Sequence, residues 1–87
     1  MKVEWTKKAK KDALYWDKKD PKIYQKIKNL ISEIEKTPFT GTGSPEPLKH
    51  NLKGWWSRRL NQEDRLVYRV SGKTPQRLEI ASCKGHY

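Results

Sequence analysis

The feature that most constrains this 87-residue chain is a single apolar stripe along one amphipathic helix. Between residues 20 and 37 the stripe recurs every three or four positions and comprises Ile23, Ile27, Leu30, Ile31 and Ile34. Lysines and glutamates occupy the other sides of the same helix, so only one side can be buried. A chain of this length builds one core. We therefore expect a single domain over residues 1–87, in which this helix covers a sheet.

Segments on both sides of this helix predict the sheet and another helix. Residues 2–5 have the pattern of a short strand, and Thr6 can cap a helix that runs to about Asp17. The C-terminal third predicts strands over residues 55–60, 65–70 and 77–83.

Alternation along residues 65–70 divides the side chains between two faces of the sheet. Leu66, Tyr68 and Val70 share the face that the helices would cover. The residues between them, including Arg65 and Arg69, point away from the predicted core.

The balance of charge favours a polyanionic partner. Twenty Lys and Arg residues against ten Asp and Glu residues give a net charge of +10. No apolar run approaches the roughly 20 residues of a membrane span, and the N-terminus lacks the apolar segment of a signal peptide. We therefore expect nucleic acid as the partner, in the cytoplasm, and no membrane. Because only 33% of the residues are hydrophobic, the small core also favours support from a second copy or another protein.

The chain has one cysteine, Cys83. It can form no internal disulfide, and no second cysteine supports a zinc site. We expect it to be a small hydrophobe within a strand. No metal site and no cofactor are predicted.

A loop of about fifteen residues, long for a compact domain, follows the apolar-striped helix. It holds one carboxylate between two prolines, Pro45-Glu46-Pro47. Each proline fixes one φ angle, and Pro47 also pushes Glu46 toward an extended conformation. Glu46 is therefore a candidate general base on a functional loop, although an ordinary exposed acid in a proline-rich turn fits the same residues.

Metal-free cleavage of RNA needs a base for the ribose 2′-hydroxyl, an acid for the departing 5′-oxygen and a cation for the phosphorane. Besides Glu46, the chain offers Arg65 on the face away from the core and His86 next to its end. Arginine keeps its charge and clamps phosphate, and histidine transfers protons near neutral pH. A solvated arginine and a frayed tail are the plainer interpretations of these two residues.

Other residues would support substrate binding. Arg58, Arg59 and Arg69 extend the basic patch and would position phosphates. Tyr87 offers a ring on which a base could stack. The role of His50 stays open between an acid, a contact to a base and a capping group for the loop.

Three stretches carry a resemblance to a known family: TPFTGTGSPEPLKHNLKGWWSRR, DRLVYRV and the terminal HY. In them the chain resembles the YoeB (Txe) toxins, a branch of the RelE superfamily of bacterial toxin–antitoxin systems. The similarity runs from Val3 to Tyr87. It implies a small α+β fold, with two N-terminal helices packed on one face of an antiparallel sheet. It also implies a ribosome-dependent endoribonuclease that cleaves mRNA in the A site by metal-independent attack of the 2′-hydroxyl and halts translation.

The resemblance also implies roles for individual residues. Glu46 matches the general base, His86 the general acid and Arg65 the arginine that stabilises the phosphate. The positions that orient or support the substrate are Lys49, Arg59 and Tyr87. The implied partners are the ribosome with its mRNA, a cognate antitoxin whose C-terminal segment blocks the cleft, and a second toxin copy in a homodimer.

Two departures from the family pattern bear on rate and partner fit. Gly85 stands where a bulky residue is usual, and the segment 71–76 is slightly long. Two other functions fit the same charge and fold. One is a non-catalytic module that binds RNA or the ribosome and does not need His86. The other is a gyrase inhibitor like the ParE toxins, a sister branch that is not expected to need Glu46, Arg65 and His86 together.

Overall fold

The computed structural model describes residues 1–85, so His86 and Tyr87 lie outside the described range. The elements in chain order are β1 (Lys2–Trp5), α1 (Lys7–Lys19), α2 (Pro21–Lys36), β2 (Glu46–Pro47), β3 (Trp56–Arg59), β4 (Arg65–Ser71) and β5 (Arg77–Ser82). A short 3₁₀ helix, His50–Leu52, lies between β2 and β3. The five strands form one sheet in the order β1-β5-β4-β3-β2.

Both helices begin at a side-chain cap, and the first is the Thr6 cap that the sequence predicts. The Thr6 side chain accepts a hydrogen bond of 3.1 Å from the Ala9 amide at the start of α1. Asp20 accepts one of 3.2 Å from the Lys22 amide at the start of α2, where a proline occupies the first turn. Because residue 38 is a proline, residue 37 avoids the helical conformation and α2 ends at Lys36. Neither helix of the described chain is both long and apolar enough to cross a membrane.

The helices pack on one face of the sheet, as predicted, and the side chains between the two layers form one core. The helices contribute Ala9, Trp16, Ile27, Leu30 and Ile34 to it. The sheet and the residues beside it contribute Leu60, Leu66, Tyr68, Leu78, Ile80 and Cys83. Neither α1 nor α2 covers the opposite face of the sheet, which carries the candidate site.

The sheet is mixed, which corrects the expectation of an antiparallel sheet. Strands β2, β3, β4 and β5 pair antiparallel, but β1 pairs parallel with β5, with Val3 opposite Leu78. Parallel neighbours need a long crossover connection. Residues 6–76 supply this connection, because both helices and strands β2, β3 and β4 lie between β1 and β5 in the sequence.

The segment that follows α2 is more ordered than a plain loop. It contains β2 and the 3₁₀ helix, so Glu46 and Pro47 form a strand of only two residues, which Pro45 precedes. This strand is at the edge of the sheet, where a proline can be tolerated because its missing N–H group need not join the ladder. Two residues are too few for an alternating pattern to reveal a strand.

Candidate active site

Glu46 lies on the sheet face that the helices leave uncovered. It stands opposite Ser57 in the pair formed by β2 and β3, and residues directly opposite each other share a face. The neighbours of Ser57 along β3 are Trp56, which packs against the core, and Arg58, which is buried. Since successive side chains alternate, Ser57 and Glu46 point to the other side.

Two arginines lie on the same face, two residues further along the sheet from the pair formed by Glu46 and Ser57. Arg59 follows Ser57 by two residues and stands opposite Arg65 on β4. With strands about 4.8 Å apart and residues about 3.3 Å apart along each, the Cα atoms of Glu46 and Arg65 are about 12 Å apart. Both side chains are long, so one phosphodiester between them is within reach of both.

The guanidinium of Arg65 keeps unused hydrogen-bonding capacity. Its Nη1 atom is buried and has no hydrogen-bond partner among residues 1–85. Buried polar atoms are nearly always paired, and a guanidinium N–H suits a phosphate oxygen. Ser57 and Val67 stand opposite each other on the same face and are only 3% and 4% exposed. These small side chains therefore form the floor of the site between longer ones.

The end of the described chain is fastened beside Arg65. The Arg65 amide donates a hydrogen bond of 3.1 Å to the Gly85 carbonyl. The Gly85 amide donates one of 2.7 Å to Asp64 Oδ1. His86 and Tyr87 follow directly in the sequence, although their own positions lie outside residues 1–85. Sequence reasoning missed Asp64, and its only signal is a position just before the strand that carries Arg65.

A cleft of about 420 Å³ adjoins Glu46 and is lined entirely by residues 46–52. Glu46, Lys49 and His50 line it together, and all three are exposed. His50 has a positive φ of +59°, which is uncommon for a residue other than glycine. Its carbonyl accepts a hydrogen bond of 3.1 Å from the Lys53 amide, which closes the 3₁₀ turn. The cleft therefore combines a carboxylate, an ammonium and an imidazole on one short segment.

Arg69 lies on the predicted face, but its charge is already matched. Its Nη2 atom donates hydrogen bonds of 3.1 and 2.9 Å to both carboxylate oxygens of Glu79. Its guanidinium also lies 4.4 Å from the centre of the Trp55 ring. The hydrogen bond from Arg69 is the main cause that lowers the pKa of Glu79. Arg69 is thus a paired cation at the margin of the site.

Arg58 does not join this face, which corrects the expectation that it extends the exposed basic patch. It stands opposite Leu66, on the side of the sheet that the helices cover, and its side chain is 0% exposed. Its guanidinium binds Glu33 and backbone carbonyls after α2 instead. The exposed arginine of this pair is Arg59, its neighbour on the open face.

Cys83 and metal ligands play no part in the arrangement described so far. The Cys83 thiol lies in the core, as predicted for a small hydrophobe, and burial raises its pKa to about 12, with a further contribution from the Asp12 carboxylate. Among residues 1–85, no group of three or more His, Cys, Asp and Glu side chains is arranged to hold a metal ion.

Comparison with known proteins gives one consistent result. A family profile described as the YoeB-like toxin of bacterial type II toxin–antitoxin systems matches residues 5–87. Toxin YoeB of Escherichia coli K12 is 51% identical over 87 residues, which is 100% of both chains. The YoeB/ParE toxin from Agrobacterium tumefaciens is 47% identical, with a TM-score of 0.96 over 100% of both chains.

YoeB of Staphylococcus aureus is similar in two assemblies. As a dimer it is 40% identical with a TM-score of 0.90, and in a heterotetrameric complex with YefM it is 40% identical with a TM-score of 0.88. In both cases the match covers 100% of this chain and 98% of the other.

Proposed function

Since this chain belongs to the YoeB-like toxins of bacterial type II toxin–antitoxin systems, we propose that it is a ribosome-dependent endoribonuclease that cleaves mRNA in the A site and halts translation. One observation carries the proposal: Glu46 and Arg65 share the open face of the sheet. The chain end that leads to His86 is hydrogen-bonded to Arg65 and its neighbour. The proposed base and cation therefore share one surface, and the residue before the proposed acid is hydrogen-bonded beside the cation.

The proposed reaction needs no metal ion. Glu46 takes the proton from a ribose 2′-hydroxyl, and the oxygen attacks the adjacent phosphorus. The charge that develops on the phosphorane is stabilised by Arg65, whose buried Nη1 has no acceptor among residues 1–85. His86 then protonates the 5′-oxygen as its bond to phosphorus breaks. The products are a 2′,3′-cyclic phosphate and a free 5′-hydroxyl.

The remaining residues of the site bind and orient the strand. Lys49 and His50 line the cleft beside Glu46, and Arg59 lies across from Arg65, so all three can contact phosphates on either side of the scissile bond. Tyr87 stacks on a base or orients the substrate. Arg69 contributes less, because Glu79 already neutralises it.

The proposed macromolecular partners follow from charge and from the relatives. A net charge of +10 favours the ribosome and its mRNA, and it also favours an acidic inhibitor. The YoeB toxin of Staphylococcus aureus is found in complex with YefM and as a dimer. We therefore propose a cognate antitoxin, whose C-terminal segment covers the cleft, and a toxin homodimer. Since ribosomes are the target, the site of action is the cytoplasm.

The decisive experiment is primer extension on an mRNA in a purified translation system, with and without the protein. We expect new 5′ ends within codons at the A site, and none when the same mRNA is offered without ribosomes. Glu46→Gln should lower the cleavage rate by a factor of at least about 100. The matched control is Glu63→Gln, an exposed acid in the turn before β4, which should cleave like the wild type.

Three outcomes would overturn parts of this proposal. Full activity in a folded Glu46→Gln protein rejects Glu46 as the base. Binding to ribosomes without any cleavage supports the non-catalytic module. Loss of DNA supercoiling before translation fails, after induction in cells, supports a gyrase inhibitor.

A further inference from the structure

Arg58 is fully buried, and its guanidinium holds the segment that connects α2 to β2. Nη2 donates hydrogen bonds to the carbonyls of Thr37 and Thr40, at 2.8 and 3.0 Å. Nη1 donates one of 3.1 Å to the carbonyl of Thr42. A weaker contact of 3.5 Å reaches the Pro38 carbonyl. One side chain thus binds most of the backbone from residue 37 to residue 42.

A carboxylate from α2 completes this arrangement. Glu33 Oε1 accepts a hydrogen bond of 2.9 Å from Arg58 Nη1 and another from the Thr42 amide. The Thr42 amide is the main cause that lowers the pKa of Glu33, and Arg58 lowers it further. A buried guanidinium is costly unless it is paired and hydrogen-bonded. Glu33 and the backbone carbonyls together meet that requirement.

Tyr68 adds a second attachment from β4. Its hydroxyl donates a hydrogen bond of 2.6 Å to the Pro38 carbonyl and accepts one of 3.3 Å from Arg58 Nε. Burial raises the pKa of Tyr68, so the hydroxyl keeps its proton and remains a donor. The same carbonyl segment is therefore held from both β3 and β4.

The packing around Arg58 leaves no room for a side chain at Gly41. A Cβ atom at Gly41 would overlap Glu33 Oε1, and φ at Gly41 is +121°, where side chains are strained. Two residues later, the Gly43 carbonyl accepts a hydrogen bond of 2.7 Å from the Arg59 amide. The segment is thus tied to β3 three residues before Glu46.

We propose that Arg58 is a positioning residue for the reaction: it holds residues 37–42, the segment that leads into β2, and thereby helps to set where Glu46 presents its carboxylate. The prolines beside Glu46 stiffen its own backbone, but they do not determine where that backbone lies relative to the sheet. The pairing of Glu46 with Ser57 sets its register in the sheet. Arg58 and Glu33, on the opposite side of β3, hold the segment that leads into β2. This inference rests on the proposed role of Glu46 as the base.

Three substitutions weaken the attachment to different degrees. Arg58→Lys keeps the charge but loses the planar fork that reaches several carbonyls. Glu33→Gln removes the charge that Arg58 faces, and Tyr68→Phe removes the bond to the Pro38 carbonyl. Controls of the same kind are Arg77→Lys, at an exposed arginine on β5, and Glu35→Gln, at an exposed glutamate on α2.

In the ribosome-dependent cleavage assay, Arg58→Lys should lower kcat by about 10- to 100-fold and leave KM within about twofold of the wild-type value. A displacement of the catalytic base by about 1 Å lowers the reaction rate by a factor of this size. Tyr68→Phe and Glu33→Gln should each lower kcat by about 3- to 10-fold. The controls should stay within twofold of the wild type.

A double-mutant cycle separates positioning from general stability. In a Glu46→Ala background, Arg58→Lys or Tyr68→Phe should cause no further loss of the residual cleavage, because the group that they position is gone. An equal fold-loss in both backgrounds would overturn the proposal. So would wild-type kcat in folded Arg58→Lys.

Amide hydrogen exchange tests the attachment independently of cleavage. In Tyr68→Phe, and in Arg58→Lys if it folds, the Thr42 amide should exchange at least about tenfold faster, while amides in the middle of α2 should not change. Unchanged exchange at Thr42 would overturn the proposal. If Glu46→Ala alone retains full activity, the role of Glu46 fails, and the exchange result shows whether Arg58 still holds the segment.

Discussion

The amide of Arg65 donates a 3.1 Å hydrogen bond to the carbonyl of Gly85, so the last described residue is bound to the strand that carries the proposed phosphate ligand. The return bond runs from the Gly85 amide to Asp64, at 2.7 Å. Chain ends usually fray. This one is hydrogen-bonded at Gly85, its last described residue, which directly precedes His86 in the sequence.

His86→Gln should separate cleavage from binding. Glutamine has a similar size but cannot donate a proton to the departing oxygen, so the cleavage rate should fall by about 10²- to 10⁴-fold. Cosedimentation with ribosomes should be unchanged. Lys84→Gln, an exposed change two residues earlier, serves as the control for altering the tail. Wild-type cleavage by a folded His86→Gln protein would exclude His86 as the acid.

Gly85→Ala should destabilise the protein through its backbone conformation. A Cβ atom there would meet no atom of residues 1–85 within 4 Å, but φ is +82°, in the left-handed region that glycine tolerates best. We expect the free energy of unfolding to drop by about 1 kcal/mol, and by less for Gly85→Asn. Urea denaturation measures both values. An Ala variant as stable as the wild type would show that the tail changes conformation at little cost.

Strands β3 and β4, which the 61–64 turn connects, show how much of the site can be predicted from the alternation of side chains along a strand. The pattern Leu66, Tyr68 identifies the buried face of β4 correctly. Applied in register to β3, the same rule places Arg58 opposite Leu66 in the core and Arg59 opposite Arg65 outside. Composition alone suggests that adjacent arginines share a basic patch, whereas the pairing of the strands separates them.

Other parts of the structure cannot be predicted from a pattern in the sequence. Strand β2 has two residues, and its place beside β3 depends on a turn rather than on periodicity. The direction of β1 follows from how the helices cross the sheet, which propensities do not determine. Arg58 binds this segment through backbone carbonyls, which every residue has. The side chains of residues 37–42 therefore do not predict the attachment.

The thiol of Cys83 should be unreactive in the native protein. Burial raises its pKa to about 12, so the thiol stays protonated at pH 8, and the thiolate is the reactive form. A disulfide-exchange reagent such as DTNB should label the native protein at least 100-fold more slowly than the denatured protein. Rapid labelling of native protein would contradict the burial of Cys83.

Glu33→Gln should reduce stability most above pH 4.5 and progressively less in acid. The hydrogen bond from the Thr42 amide and the charge of Arg58 lower the pKa of Glu33 below its ordinary value of 4.5. The folded state therefore favours the ionised carboxylate, and this contribution is complete above pH 4.5 and lost as the pH falls through the lowered pKa. Thermal unfolding of both proteins from about pH 6 to about pH 2.5 measures it. Glu35→Gln, whose carboxylate is exposed on the same helix, is the control. A difference between wild type and Glu33→Gln that stays constant or grows toward low pH would show that the ion pair with Arg58 does not hold in solution.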